Sequence, residues 1–244
     1  QPTRVESEDA YGPIVRHDSR QNYSTIALVD SSQNGYGMVS GTTRPIFVGD
    51  DGWFMAYRQY WGVGESHGRL GAAYSEDGEN WTIYPNINEG MGQARYPSAV
   101  GTGDFPYAFW NEYTNEGNGY GGRFYYAYDE FGWDGGSFGT PFQGDLGWND
   151  DKDQWVGSVA YATEGSTDHF LAIYDDWFRD GYFLFKQEAY DDGFIVFGEE
   201  QLILDESNDM VGGTEDGSYN SSAIITMNDD GMAYLGLIGL FSVD

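Results

Sequence analysis

The stretch YSEDGENW, Tyr74 to Trp81, holds Ser75, Asp77, Gly78 and Trp81 in the order Ser-x-Asp-Gly-x-x-Trp. These residue types suit a tight turn. Short hydroxyl and carboxylate side chains take up backbone N–H groups, glycine accepts left-handed backbone, and tryptophan supplies an apolar lid. RLGAAY before it and WTIYPN after it read as strands. The octet is therefore read as structure rather than chemistry.

Working outward, the strand and turn pattern around this octet recurs. RPIFVGDDGWFMAYRQYW starts at Arg44, RYPSAVGTGDFPYAFWNEYT at Arg95, WVGSVAYATEGSTDHFLAIYDDW at Trp155 and SSAIITMNDDGMAYLGLIGLF at Ser221. Each is a short apolar strand, an acidic or glycine turn and a longer aromatic strand. A second half also recurs, from Gly68, Gly122 and Asp180, as a strand, a turn and a weaker last strand. The spacing of roughly 50–60 residues predicts an all-β fold, a β-propeller of four-stranded antiparallel blades. Units are expected near 44–90, 95–145 and 155–205, after an arm or linker over 1–22. Residues 221–244 read as a first and second strand, and 23–40 as a third and fourth. Together they would close a four-bladed ring; otherwise the chain is part of a larger propeller.

On these residues the chain resembles the Asp-box, or BNR-repeat, propellers of the sialidase-like class. There the box lies between the third and fourth strands of a blade, as SEDGENW does here. The resemblance implies that Ser75 and Asp77 bond to turn backbone, Gly78 takes a left-handed conformation and Trp81 packs beneath the blade. The corresponding stretches AYDEFGWDGG and EAYDDGFIVF are degenerate.

Composition narrows the partners. Forty acids against 11 bases give a net charge of −29. A polyanion needs a basic surface, so nucleic acid is excluded as a partner, and an anionic membrane is disfavoured. The chain has no cysteine, hence no disulfide and no thiolate metal site. No apolar run reaches the roughly 20 residues of a membrane span. QPTRVESEDA reads as a mature N-terminus after cleavage, and the composition suits a secreted or cell-surface bacterial protein.

Three sets of residues are candidates for chemistry. Arg44 and Arg95 enter the innermost strands of successive units, where two guanidiniums would hold an anion. The third arginine that a sialidase-like site implies is not evident. Arg69 and Arg123 match one another at the start of the third strand. Glu112, in FWNEYT, follows a strong strand and stands out among abundant turn carboxylates such as Asp50, Asp51, Asp104, Asp129, Glu130, Asp175 and Asp176. Asp150, Asp151 and Asp153, in NDDKDQW, cluster oxygen ligands suited to calcium, without EF-hand spacing. His17, His67 and His169 share no zinc spacing. The reading drawn from the sequence is a non-catalytic extracellular binding or structural module with no cofactor beyond calcium. Its partners would be protein subunits, including further copies of itself, or extracellular glycans. The alternative is a glycoside hydrolase or sialidase-like enzyme acting at the channel mouth.

Overall fold

The computed structural model describes residues 26–32, 43–62, 68–91, 93–133, 135–164, 167–205 and 223–237. Among them there is no helix. The strands form successive antiparallel meanders. Blade 1 runs β1 (Ile46–Gly49), β2 (Gly52–Arg58), β3 (Leu70–Ser75) and β4 (Thr82–Pro85). Blade 2 runs β5 (Ala94–Gly101), β6 (Pro106–Tyr113), β7 (Gly122–Tyr128) and β8 (Phe142–Gln143). Blade 3 holds β9 (Gln154–Glu164), β10 (Thr167–Asp176), β11 (Gly181–Asp191), β12 (Phe194–Phe197) and β13 (Gln201–Asp205). β12 and β13 both pair with β11, so they act as one outer strand broken at residues 198–200. β14 (Ile224–Met227) and β15 (Ala233–Gly236) form a two-stranded sheet.

The first strand of each sheet packs on the next, from β1 through β5 and β9 to β14. This is the blade arrangement of a β-propeller, with the first strands innermost. The segment 26–32 does not extend the β14–β15 sheet. Ser32 bridges to Gln59 just past β2, and Tyr60 N donates to Ser31 O at 2.9 Å. The rest of the expected closing strands, residues 23–25 and 33–40, and the arm over 1–22 lie outside the described residues.

The core lies between blades, because period-2 alternation sends successive side chains to opposite neighbours. Along β7, Phe124, Tyr126 and Tyr128 face blade 3, whereas Tyr125 and Ala127 face blade 1. Flat rings fill the wedge between the sheets. Phe124 stacks on Tyr174 at 4.4 Å, and such pairs add about 0.5–1.5 kcal/mol beyond the area they bury. Tyr126 and Tyr107 hydroxyls, inside this core, donate to Ile195 O and Gly193 O at 2.7 and 2.8 Å.

The Tyr74–Trp81 octet joins β3 to β4. Ser75 Oγ accepts from Gly78 N at 2.8 Å, and Asp77 Oδ1 accepts from Glu79 N and Asn80 N, both at 2.8 Å. Gly78 has φ +74°, and Trp81 meets Trp53 edge-on at 6.5 Å. The bonds from Asn80 and Glu79 hold the Asp77 carboxyl well below the usual carboxylate range. Blade 2 solves the same turn differently: Asp129, fully buried, accepts from Phe131, Gly136 and Ser137 N–H groups.

Candidate active site at the channel mouth

The second strand of each blade ends where the first begins, so these termini collect at one end of the inner strands. β2 ends at Arg58, β6 at Glu112–Tyr113 and β10 at Asp175–Asp176. β5 and β9 open beside them with Arg95 and Trp155. Both of these inner strands carry a bulge here. Tyr96 has φ +51° and Val156 has φ +43°, and the register shifts at each. A β-branched residue at positive φ is strained backbone. Asn111 supports the second bulge by donating to Gln154 O at 2.9 Å. Bulges re-aim side chains, and both of these lie at the end where Glu112 and Asp175 close the second strands.

Glu112 is 3% exposed. Its carboxyl accepts from Gln93 N at 2.6 Å and from Trp110 Nε1 at 3.0 Å. Burial pushes it up to about 7, against the pull of those bonds, the Asn88 side chain and the charge of Arg95. Asp30 is the opposite case. It is exposed, and it accepts from Tyr57 Oη at 2.6 Å and Gln59 Nε2 at 3.0 Å. Partial burial pulls its carboxyl up, but the bonds from Tyr57, Gln59 and Ser31 N outweigh this and hold it low. Burial and Asp30 together keep the Tyr57 hydroxyl protonated, as a donor.

The expected arginine pair is not the one that forms. Arg44 is exposed; its N donates to Ser98 Oγ, and its O accepts from Ala99 N at 2.7 Å. That sets it beside the middle of β5, not level with Arg95, which pairs with Asn111 at the strand start. Arg58, 3% exposed, is the cation that senses Arg95: burial lowers it to about 10, and Arg95 pushes the same way. Arg95 also donates to Ala94 O at 3.0 Å.

The three aspartates of NDDKDQW do not converge. Asp153 is buried and accepts from Trp155 Nε1, Gly122 N and Tyr120 N at 2.6–3.0 Å. Asp150 and Asp151 are exposed. Among the described residues, no three acid or histidine side chains gather to hold a metal ion. Asp176 is committed to Arg179, whereas Asp175 accepts from Trp177 Nε1 at 3.1 Å. Around them Tyr113, Tyr120, Trp155 and Trp177 form one ring cluster, with Tyr120 and Trp177 open to solvent.

No protein-family model matches the chain, and no curated protein matches it in sequence. Among solved structures it is similar to an exo-β-1,3-galactanase from Phanerochaete chrysosporium, at 11% identity and TM-score 0.48, over 82% of this chain and 49% of that one. It is also similar to an exo-1,5-α-L-arabinanase from a bovine ruminal metagenomic library, at 11% identity and TM-score 0.47, over 86% and 69%. A third is a GH62 hydrolase in complex with xylotriose, at 11% identity and TM-score 0.46, over 88% and 72%. The chain spans about half the length of the Phanerochaete galactanase. These structures are glycoside hydrolases, whereas the expectation from sequence puts a non-catalytic binding or structural module first and a glycoside hydrolase second.

Proposed function

We propose that this chain is the propeller part of a secreted or cell-surface glycoside hydrolase that cleaves extracellular glycan at the channel mouth. The observation that carries this reading is two acids at the same end of blades 1 and 2 with opposite surroundings: Glu112 is buried, and Asp30 is exposed and bonded by Tyr57 and Gln59. Hydrolysis of a glycosidic bond needs one carboxyl to protonate the leaving oxygen and one carboxylate to act on the sugar or its attacking water. Two acids whose surroundings push them apart in pKa are suited to those two roles.

In this reading Glu112, pushed up to about 7, is the proton donor. Asp30, held low and oriented by Tyr57 and Gln59, is the ionised partner. The positive charge of Arg95 supports Glu112 once its proton has left. Exposed Tyr120 and Trp177 offer ring faces to sugar C–H groups, and Asp175 supplies a further acceptor beside them. β14–β15 belong, on this view, to a fourth blade.

The neighbours' substrates make β-1,3-galactan, α-1,5-arabinan and xylan the first glycans to try. The native chain is expected to release reducing sugar from at least one neutral polymer. Glu112→Gln and Asp30→Asn should each lower kcat by about 10²–10⁴-fold with the fold intact. No turnover on the whole panel, or full activity in Glu112→Gln, would sink the assignment.

A further inference from the structure

Blades 1 and 2 share a device at the start of their third strands: an arginine laid flat on a tryptophan. In blade 2 the device is closed on itself. Arg123 Cζ lies 3.6 Å from the Trp148 ring centroid, its guanidinium pairs with Glu116, and Trp148 Nε1 donates to Gly122 O at 3.1 Å. In blade 1 the same device is open. Arg69 Cζ lies 3.2 Å from the centroid of Trp61, a ring that remains 54% exposed. Among the described residues no carboxylate lies within ion-pair distance of Arg69; Glu89 acts on it only from further off.

The open copy faces a cleft of about 520 Å³, lined by Trp61, Arg69, Asn86, Asn88, Glu89 and Met91. That volume falls within the ~300–1,000 Å³ typical of small-molecule sites. Asn88 is committed to the wall: its amide accepts from Leu70 N at 2.8 Å and donates to Gly68 O at 2.9 Å. What lines the cleft is then a cation with several N–H donors, an amide, a carboxylate and a half-exposed tryptophan ring, one face of which that cation covers. Donor, acceptor and apolar face together match a sugar ring, whose hydroxyls both donate and accept and whose C–H face is apolar. The carboxylate opposite the cation disfavours a strongly anionic ligand. Gln59 joins the cleft to the mouth. Its Nε2 donates to Asp30, and its Oε1 accepts from Asn86 N at 3.2 Å.

We infer that the Trp61–Arg69 cleft is a binding subsite for a neutral sugar unit of the glycan whose cleaved bond lies at Asp30 and Glu112. The inference rests on the hydrolase reading only for the glycan as ligand class, and its test reads binding without turnover. Binding of neutral xylo-, arabino- and galacto-oligosaccharides, with an oligogalacturonate as the charged comparison, is followed by titration calorimetry. At least one neutral oligosaccharide should bind the native chain, and Trp61→Ala and Arg69→Gln should each weaken it about tenfold or more. Arg123→Gln, at the closed copy, should leave the affinity unchanged, which separates loss of a ligand contact from loss of blade packing. Binding that survives both blade 1 substitutions, binding of the oligogalacturonate alone, or no binding of any neutral probe would overturn the inference. An inactive chain that binds through Trp61 would instead fault the hydrolase reading and leave the subsite standing.

Discussion

Glu112 and Asp176 hold matched places at the ends of the second strands of blades 2 and 3, and both are buried. Their partners differ in kind. Asp176 accepts from Phe178 N and Arg179 N, and then from Arg179 Nε and Nη2 at 2.9 and 2.6 Å. Arg179 is shared with Glu200, which Lys152 also meets at 3.1 Å. Among the described residues Glu112 receives neutral donors, Gln93 N and Trp110 Nε1 at hydrogen-bond distance and the Asn88 side chain beside them. Burial therefore does not by itself assign a role to a carboxyl group. A full opposite charge at contact turns one into a structural pin, and neutral donors leave the other able to hold and release a proton near neutrality.

The largest expected effect comes from unpinning the blade 3 carboxylate. Arg179→Met removes the charge facing Asp176, whose side chain is 0% exposed, and leaves an uncompensated charge inside the sheet. Losing one partner of a buried pair costs about 3–5 kcal/mol. Urea denaturation at neutral pH should show that loss, and a change below about 1 kcal/mol would mean that the pin is dispensable. The same substitution frees Glu200, but Lys152 remains beside it.

The blade 2 carboxyl should declare itself through pH. Glu112 rises from 4.5 to about 7 on folding, so the folded chain binds this proton more tightly than the unfolded chain. Its contribution to stability is then full below pH 4.5 and lost as the pH climbs through about 7. A shift of that size amounts to roughly 3 kcal/mol at most. Glu112→Gln should flatten the profile in this window and leave the variant the more stable protein at pH 8. Asp77 and Asp30 act with the opposite sign, because both are held below the ordinary 3.8. They support the fold above that value and release it as acid brings the pH lower, so the two windows do not overlap. An unchanged slope in Glu112→Gln would remove the proton donor from the proposed mechanism.

The strand and turn repeat was legible because it is written locally. Apolar alternation, glycine and acidic turns and matched aromatics recur along the chain, and the sheets β1–β4, β5–β8 and β9–β13 lie along those repeats. The site was much less legible. Asp30 gains its hydrogen-bond partners from Tyr57 and Gln59, 27 and 29 residues away, and nothing in ALVDSS marks it. Arg58 is hidden in YRQYW, where strand alternation alone does not say which residue turns toward Arg95. Arg44 and Arg95 look equivalent on paper, but Arg44 meets β5 at Ser98 and Ala99, three and four residues beyond Arg95. Asp153 sits in a loop with the composition of a cation site, yet it spends both oxygens on N–H groups of its own fold. Open and closed arginine–tryptophan pairs cannot be told apart from Arg69 and Arg123, because the closing partners, Glu116 and Gly122 O, meet them only through the loops.

The smallest effect sharpens a second contrast, between the proposed chemistry at the mouth and the structure of the Ser75–Trp81 turn. Gly78 has φ +74°, and a Cβ there would sit 3.1 Å from the Trp53 ring. Gly90, in the connection from β4 to β5, has φ +87°, but its Cβ would meet nothing within 4 Å. Alanine at either site carries the left-handed strain of about 1–2 kcal/mol. At Gly78 it also presses on the Trp53–Trp81 pair that closes the turn. Gly78→Ala should therefore lower the thermal midpoint further than Gly90→Ala, by a margin of several tenths of a kcal/mol to about 1 kcal/mol. Equal losses would mean that Trp53 yields freely and that the turn tolerates a looser lid. If Gly78→Ala also abolished glycan hydrolysis at temperatures where it stays folded, the turn would be tied to the mouth, and the division between them would fail.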